Sequence, residues 1–184
     1  MSFKILTIMT FLLGSVNALA NDAAPHGSAA ASAQAMKTTD KYTNSWISFP
    51  ALTLKNIDTA EPQALPLTKG RVQIVVFLAS WCVPCQQLMP EMKRIAEKYK
   101  GKYTDISYVF AHDTDPDARA FASYHKVMPA SYMGTAKVLE DFHQPDLPAI
   151  YASDRYGWLA YRKLNSRTTD LPELEKYLEL HTSF

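Results

Sequence analysis

The sequence predicts an α/β fold with a mixed central sheet, helices on its flanks and a short N-terminal β extension. Three observations predict it. A nearly continuous apolar run, Arg71 to Leu78, and a second extended run, Tyr103 to Ala111, are each followed by a helical pattern, as parallel strands joined by crossover helices would be. Two later extended runs, Ala149 to Ser153 and Trp158 to Leu164, flank Asp154-Arg155-Tyr156-Gly157, which reads as a hairpin turn. An amphipathic stretch then closes the order β, α, β, α, β, β, α, which puts helices on both faces of one sheet.

Each element has a local reason. Ser48 to Leu54 alternates enough for a short strand, and Pro50 confines it to an edge or a strand start. Residues 55 to 70 hold Pro62, Pro66 and Gly70 and read as turns around one brief extended piece. Arg71 to Leu78 is β-branched and apolar on both faces, so it belongs mid-sheet. From Cys82 to Lys100, Leu88, Met92, Ile95, Ala96 and Tyr99 recur at helical spacing, Pro90 predicts a kink, and Gly101 stands where a C′ residue should. Asp115-Pro116 reads as an N-cap followed by proline at the first helical position, with the helix running to His125. Between Pro129 and Asp146 the one pattern is a short helix over Thr135 to Phe142. Asp170 with Glu173 reads as a capping box that opens a last helix, Leu171 to Leu180.

The first twenty residues read as a secretory signal: Lys4, an apolar run from Ile5 to Val16, and Ala18-Leu19-Ala20 as a small-x-small cleavage site. The apolar run is shorter than the ~20 residues a comfortable bilayer span needs, so cleavage is favoured over retention as an anchor. Residues 21 to 45 are rich in Ala, Ser and small polar residues and read as a flexible leader, with the folded domain over 46–184. Export implies a periplasmic compartment in which disulfides persist. The chain of 184 residues has 19 Lys and Arg against 18 Asp and Glu. Loss of Lys4 leaves the exported chain formally neutral, which argues against nucleic acid or an anionic membrane surface as partner.

The only two cysteines stand in Trp81-Cys82-Val83-Pro84-Cys85, directly after the apolar run that ends at Ala79. A strand therefore delivers a Cys-x-x-Cys pair to the first turn of a helix. Unpaired N–H groups and the helix dipole there favour a thiolate on Cys82, the candidate nucleophile, with Cys85 as the shielded resolving thiol. Thiol-disulfide exchange is the leading chemistry. A structural zinc site would lack half its ligands, since there is no second Cys pair and no spaced His pair. A purely structural disulfide is the other alternative, but it would close too small a loop to remove much unfolded-state entropy.

These residues, with Pro90 five after Cys85 and Leu147-Pro148 before the hairpin strand, resemble a thioredoxin-fold protein. Phe49-Pro50-Ala51-Leu52-Thr53-Leu54, the acidic Asp113-Thr114-Asp115-Pro116-Asp117 and Asp154-Arg155-Tyr156-Gly157 are similar to the secreted TlpA/ResA-like branch of thiol-disulfide oxidoreductases. The resemblance implies that Pro148 is a cis-proline against the Cys pair. It also implies that Leu147 offers its backbone to an extended client segment, and that Trp81 and Pro84 line the contact. Trp81 as an ordinary core tryptophan is the alternative. The resemblance further implies client proteins with disulfides, recharging by a membrane electron donor of the DsbD/CcdA type, a monomer, no metal and no cofactor. Clients in cytochrome c maturation or thiol repair follow by the same analogy.

The chain departs from that pattern at Val76, where many thioredoxins carry a buried acid that helps to deprotonate the resolving cysteine. Solvent or Asp146 is left to serve, although Asp146 also reads as a plain turn residue. His112, His125 and His143 are candidates to bias the Cys82 thiolate, with a neutral surface histidine as the alternative for each. Met89 and Met92 read as helix packing. Two other functions compete: an oxidase or isomerase of exported proteins, and a non-catalytic copper- or partner-binding scaffold. Copper carriers of this fold use a wider Cys spacing.

Overall fold

The computed structural model describes residues 47–65 and 68–183, so the predicted signal and leader, Trp46 and Pro66 lie outside it. In chain order the elements are β1 Thr53–Asn56, β2 Pro62–Ala64, β3 Val72–Leu78, α1 Val83–Tyr99, β4 Thr104–Phe110 and α2 Asp115–Tyr124. β5 Ser131–Met133, α3 Ala136–Asp141, β6 Ala149–Ser153, β7 Leu159–Lys163 and α4 Leu171–Thr182 follow. The sheet order is β2-β1-β5-β4-β3-β6-β7. β3 runs parallel to β4 and β4 to β5, whereas β6 and β7 pair antiparallel, as do β1 and its neighbours. This is the thioredoxin fold with an N-terminal β extension.

The apolar run of β3 puts it at the centre of the sheet because both faces must be covered. Ile74, Val76 and Leu78 face a core shared with Leu88, Met89, Met92 and Ile95 of α1, Phe121 of α2, and Leu174, Tyr177 and Leu178 of α4. Val75 and Phe77 face the other core, with Phe49, Leu52 and Leu54 from the N-terminal segment, Val138 and Leu139 of α3, and Phe142 and Tyr151. Phe77, Phe142 and Tyr151 pack ring against ring with centroids 4.7–5.7 Å apart. Each fully buried large side chain contributes ~1.5–3 kcal/mol of transfer free energy, so the two layers together hold the sheet between its helices.

Several boundaries differ from the sequence reading. The first strand lies at Thr53–Asn56, and residues 47 to 49 instead lay along the hairpin, with Phe49 N–H on the Gly157 carbonyl at 2.8 Å and Leu159 N–H on that of Ile47 at 2.8 Å. Pro50, which has no N–H, marks where the chain leaves that pairing. The brief extended piece in 55–70 is β2. β5 has no counterpart in the sequence reading: three residues are too few to show a period, and its place comes from pairing with β4 and β1.

Two caps also differ. Thr114, rather than Asp115, caps α2, its hydroxyl accepting the Asp117 N–H at 3.4 Å, and Asp115 is already helical. Asp170 stands at the N-cap of α4 as the sequence predicts, but its side chain makes no capping bond there. Its carboxylate accepts the Arg167 N–H at 2.7 Å and closes the short 3₁₀ turn Thr168–Asp170 instead. Gly101 follows α1 with φ +75°, the left-handed position that favours glycine. Pro90 lies inside α1, which continues past it to Tyr99.

Candidate active site

β3 ends at Leu78, and four residues later Cys82 caps α1 in an extended conformation. Its backbone N–H bonds the Ala79 carbonyl at 3.1 Å, which closes the turn that presents the sulfur. Cys82 Sγ accepts the Cys85 N–H at 3.3 Å, so one of the orphan donors of the first helical turn already points at this sulfur. The two sulfurs are joined as a disulfide across a Cα separation of 5.2 Å. Cys85 is 1% exposed and Cys82 6%. The first sulfur is thus the more reachable, and the second is sealed among Leu88, Met89 and the β3 side chains of the same core.

The surface around Cys82 is apolar and open. Trp81 is 62% exposed and Val83 59%, which removes the core reading of Trp81 and makes it a lip beside the pair. Pro84 is half-buried in the first turn of α1, where a missing N–H costs no helix bond. The Leu147–Pro148 peptide is cis. Pro148 immediately precedes Ala149, whose partner across the sheet is Phe77, so this turn lies beside the strand that leads to the Cys pair. Leu147 is half-buried against both cores. The carbonyls on either side of it are occupied, Asp146 by Asn165 N–H at 3.1 Å and Pro148 by Ser166 N–H at 2.8 Å. Among the described residues, the Leu147 backbone itself makes no hydrogen bond.

The other candidates separate from the pair. Asp146 is exposed and lines a cavity of about 380 Å³ with Phe142, His143, Tyr151 and Arg162, on the side of the sheet away from Cys85. It lines that cavity, whereas Cys85 lies in the core layer formed by α1 and β3. His143 shares that cavity, and His112 is exposed in the turn after β4. His125 lines an open groove of about 710 Å³ that starts at Ser80 and runs between α1 and α2. Burial, and then the neighbouring Lys93 ammonium, hold its imidazole below the usual range, so it is neutral at pH 7. Val76 is fully buried, and no carboxylate joins the core layer that contains Cys85 among the described residues. Met89 and Met92 are both fully buried, as helix packing requires. No group of His, Cys, Asp or Glu among the described residues could hold a metal ion.

One feature of the site has only a faint trace in sequence. Asp113, in the acidic stretch after β4, accepts two bonds from Ser80: the N–H at 2.7 Å and the hydroxyl at 2.6 Å. Gln86 Nε2 donates to the Ser80 carbonyl at 2.9 Å from the other side. The turn before Cys82 is therefore tied at every polar group of Ser80.

Comparison with known proteins agrees with this geometry. The family model described as Redoxin matches residues 20–178. The thioredoxin-like protein YneN of Bacillus subtilis (strain 168) is 26% identical over 133 residues, 71% of this chain and 76% of that one. The thiol-disulfide oxidoreductase ResA of Bacillus thuringiensis (strain Al Hakam) is 28% identical over 112 residues, 60% of this chain and 64% of its own length. Among solved structures, one from Chlorobium tepidum assigned as the thiol:disulfide interchange protein DsbE superposes with a TM-score of 0.69 at 23% identity, covering 76% of this chain and 99% of that one. At that identity the superposition shows the fold. The match to most of the chain, together with a Cys-x-x-Cys disulfide at the start of α1, shows that this protein belongs to the Redoxin family.

Proposed function

We propose that this thiol-disulfide oxidoreductase is a periplasmic reductase of client-protein disulfides. The observation that supports this most is the asymmetry of the pair: a reachable Cys82 held by a helix N–H, and a sealed Cys85 one turn further on. In the reduced protein, Cys82 thiolate attacks one sulfur of a client disulfide. A Cys82–client disulfide forms, and the client's other sulfur leaves as a thiolate. Cys85, once deprotonated, attacks Cys82 Sγ, re-forms the Cys82–Cys85 disulfide and releases the second client thiolate. Two electrons pass from the pair to the client.

The client's extended backbone pairs with the unoccupied Leu147 backbone as an added strand, while Trp81 and Val83 cover the apolar side chains that flank its cystine. A membrane donor of the DsbD/CcdA type then returns the pair to its dithiol form, with no cofactor on this chain. The protein acts as a monomer, and its clients are apocytochromes awaiting haem or exported proteins with wrongly oxidised thiols. The amino-terminal signal pattern supports export, and the relatives named as thiol-disulfide oxidoreductases support the chemistry. The test is catalysed reduction of insulin by dithiothreitol. Wild type should accelerate precipitation and Cys82→Ser should not, and equal curves would overturn the reading.

A further inference from the structure

We propose that Asp113 is the positioning residue of the redox pair, acting on Cys82 through Ser80. This rests on the reading of Cys82 as the attacking thiol. The path of the chain after β4 brings this carboxylate to Ser80. β4 stops at Phe110, the Ala111 N–H bonds the Leu78 carbonyl at 2.8 Å, and His112 then turns in the left-handed region at φ +58°. Histidine, with Asn and Asp, enters that region more readily than most residues with a β-carbon. Asp113 follows at once and takes both donors of Ser80, at 2.6 and 2.7 Å.

The consequence falls on Cys82, two residues further on. One backbone bond closes the Ala79–Cys82 turn, Cys82 N–H to the Ala79 carbonyl, and the ties of Ser80 add to that single restraint. Asp113 fixes the turn to the end of β4, and Gln86 fixes it to α1. With Ser80 held from both sides, Cys82 Sγ stays within reach of the Cys85 N–H, whose bond favours the thiolate over the thiol. Without that anchoring, the reduced sulfur samples positions away from the helix terminus and loses part of this bond. The carboxylate does not touch either sulfur. Its negative charge by itself disfavours a nearby thiolate, so the benefit comes from geometry and not from charge.

That separation fixes the experiment. Asp113→Asn and Asp113→Ala both remove the charge, but asparagine keeps a carbonyl oxygen for the Ser80 N–H and alanine keeps nothing. Thiolate absorbance of Cys82 is titrated in the full chain in a Cys85→Ser background, with circular dichroism as the check on folding. The expected result is about tenfold less thiolate in Asp113→Ala than in Asp113→Asn at any pH below both midpoints. Identical midpoints would overturn the proposal.

Should Asp113→Ala fail to fold, Ser80→Ala takes its place, since it deletes only the hydroxyl bond. It should lower the thiolate fraction about threefold against its parent, and no change would overturn the proposal. Insulin reduction by the chain with both cysteines intact is run in parallel. A wild type that reduces insulin while the Asn and Ala midpoints coincide sinks the positioning role alone. A wild type that reduces nothing while the midpoints split sinks the reductase reading and leaves the positioning role standing.

Discussion

Val76 and Tyr108 stand directly opposite each other in the parallel register of β3 and β4, both turned into the core layer that holds Cys85. Val76 occupies the place where a buried acid would be expected from the family resemblance. Tyr108 brings a hydroxyl that has no hydrogen-bond partner among the described residues. Burial pushes its phenol far above the usual range, so it stays protonated and is no base. Among the described residues, the core layer around the resolving thiol therefore contains no carboxylate to serve as its base.

Tyr108→Phe should accordingly leave the fold intact and change its stability by no more than ~1 kcal/mol, on the stabilising side, because an unsatisfied buried hydroxyl is removed with little change in volume. Urea unfolding measures it. Val76→Asp should do the opposite at neutral pH, costing ~2–5 kcal/mol by burying an unpaired carboxyl, while the rate at which Cys85 resolves a mixed disulfide rises. Stopped-flow reduction of a small disulfide reads that rate.

The thiols should also separate by role. Cys85→Ser is expected to accumulate client adducts on Cys82 when the variant is purified from cells, because the mixed disulfide forms and is not resolved. Cys82→Ser should trap none, since the remaining thiol is sealed at 1% exposure. Non-reducing gels with mass identification of the adducts decide it, and the reverse pattern would exchange the two roles.

A surface network between α1 and α4 sets the acid limb of stability. Glu175 receives Arg94 at 2.5 Å and Lys98 at 2.8 Å, and these two cations hold its carboxyl down at about 2. A lowered folded-state value means a contribution that is complete above the ordinary value of 4.5 and lost as the pH falls through about 2. The melting temperature of wild type should therefore drop between pH 4.5 and 2. Glu175→Gln should melt lower at pH 7, decline less over the acid range and converge with wild type at its lower end. Half-molar salt should narrow the difference at pH 7, because Arg94 and Lys98 are half exposed.

Met92 is fully buried on the face of α1 that meets β3 and α4. Met92→Ala should cost ~2–5 kcal/mol through lost transfer energy and the cavity left behind. Denaturant unfolding checks this, and a cost under 1 kcal/mol would mean that the core closes over the gap.

What the sequence discloses follows from how far each signal reaches. β3, β4, α1 and α4 are long enough for their apolar period to appear, and the Cys pair is legible because its spacing and its place after a strand are both local. The cis bond at Pro148 follows from the family resemblance and is present. β5 was not legible because it is a strand only through its neighbours. The cap of α2 falls on Thr114 and not on its neighbour Asp115, and the Asp170 carboxylate turns back to the Arg167 N–H from its place at the start of α4, because only the three-dimensional path decides between adjacent polar groups. The Asp113–Ser80 tie spans 33 residues, and no local pattern links its ends.

The reduction potential of the Cys82–Cys85 pair tests the reductase reading most directly, by equilibration against glutathione buffers followed by thiol trapping and mass measurement. A reductase fed by a membrane donor should give a value near the ~−270 mV of thioredoxin. A value near the ~−120 mV of strong periplasmic oxidants would contradict the account and make the protein a disulfide donor.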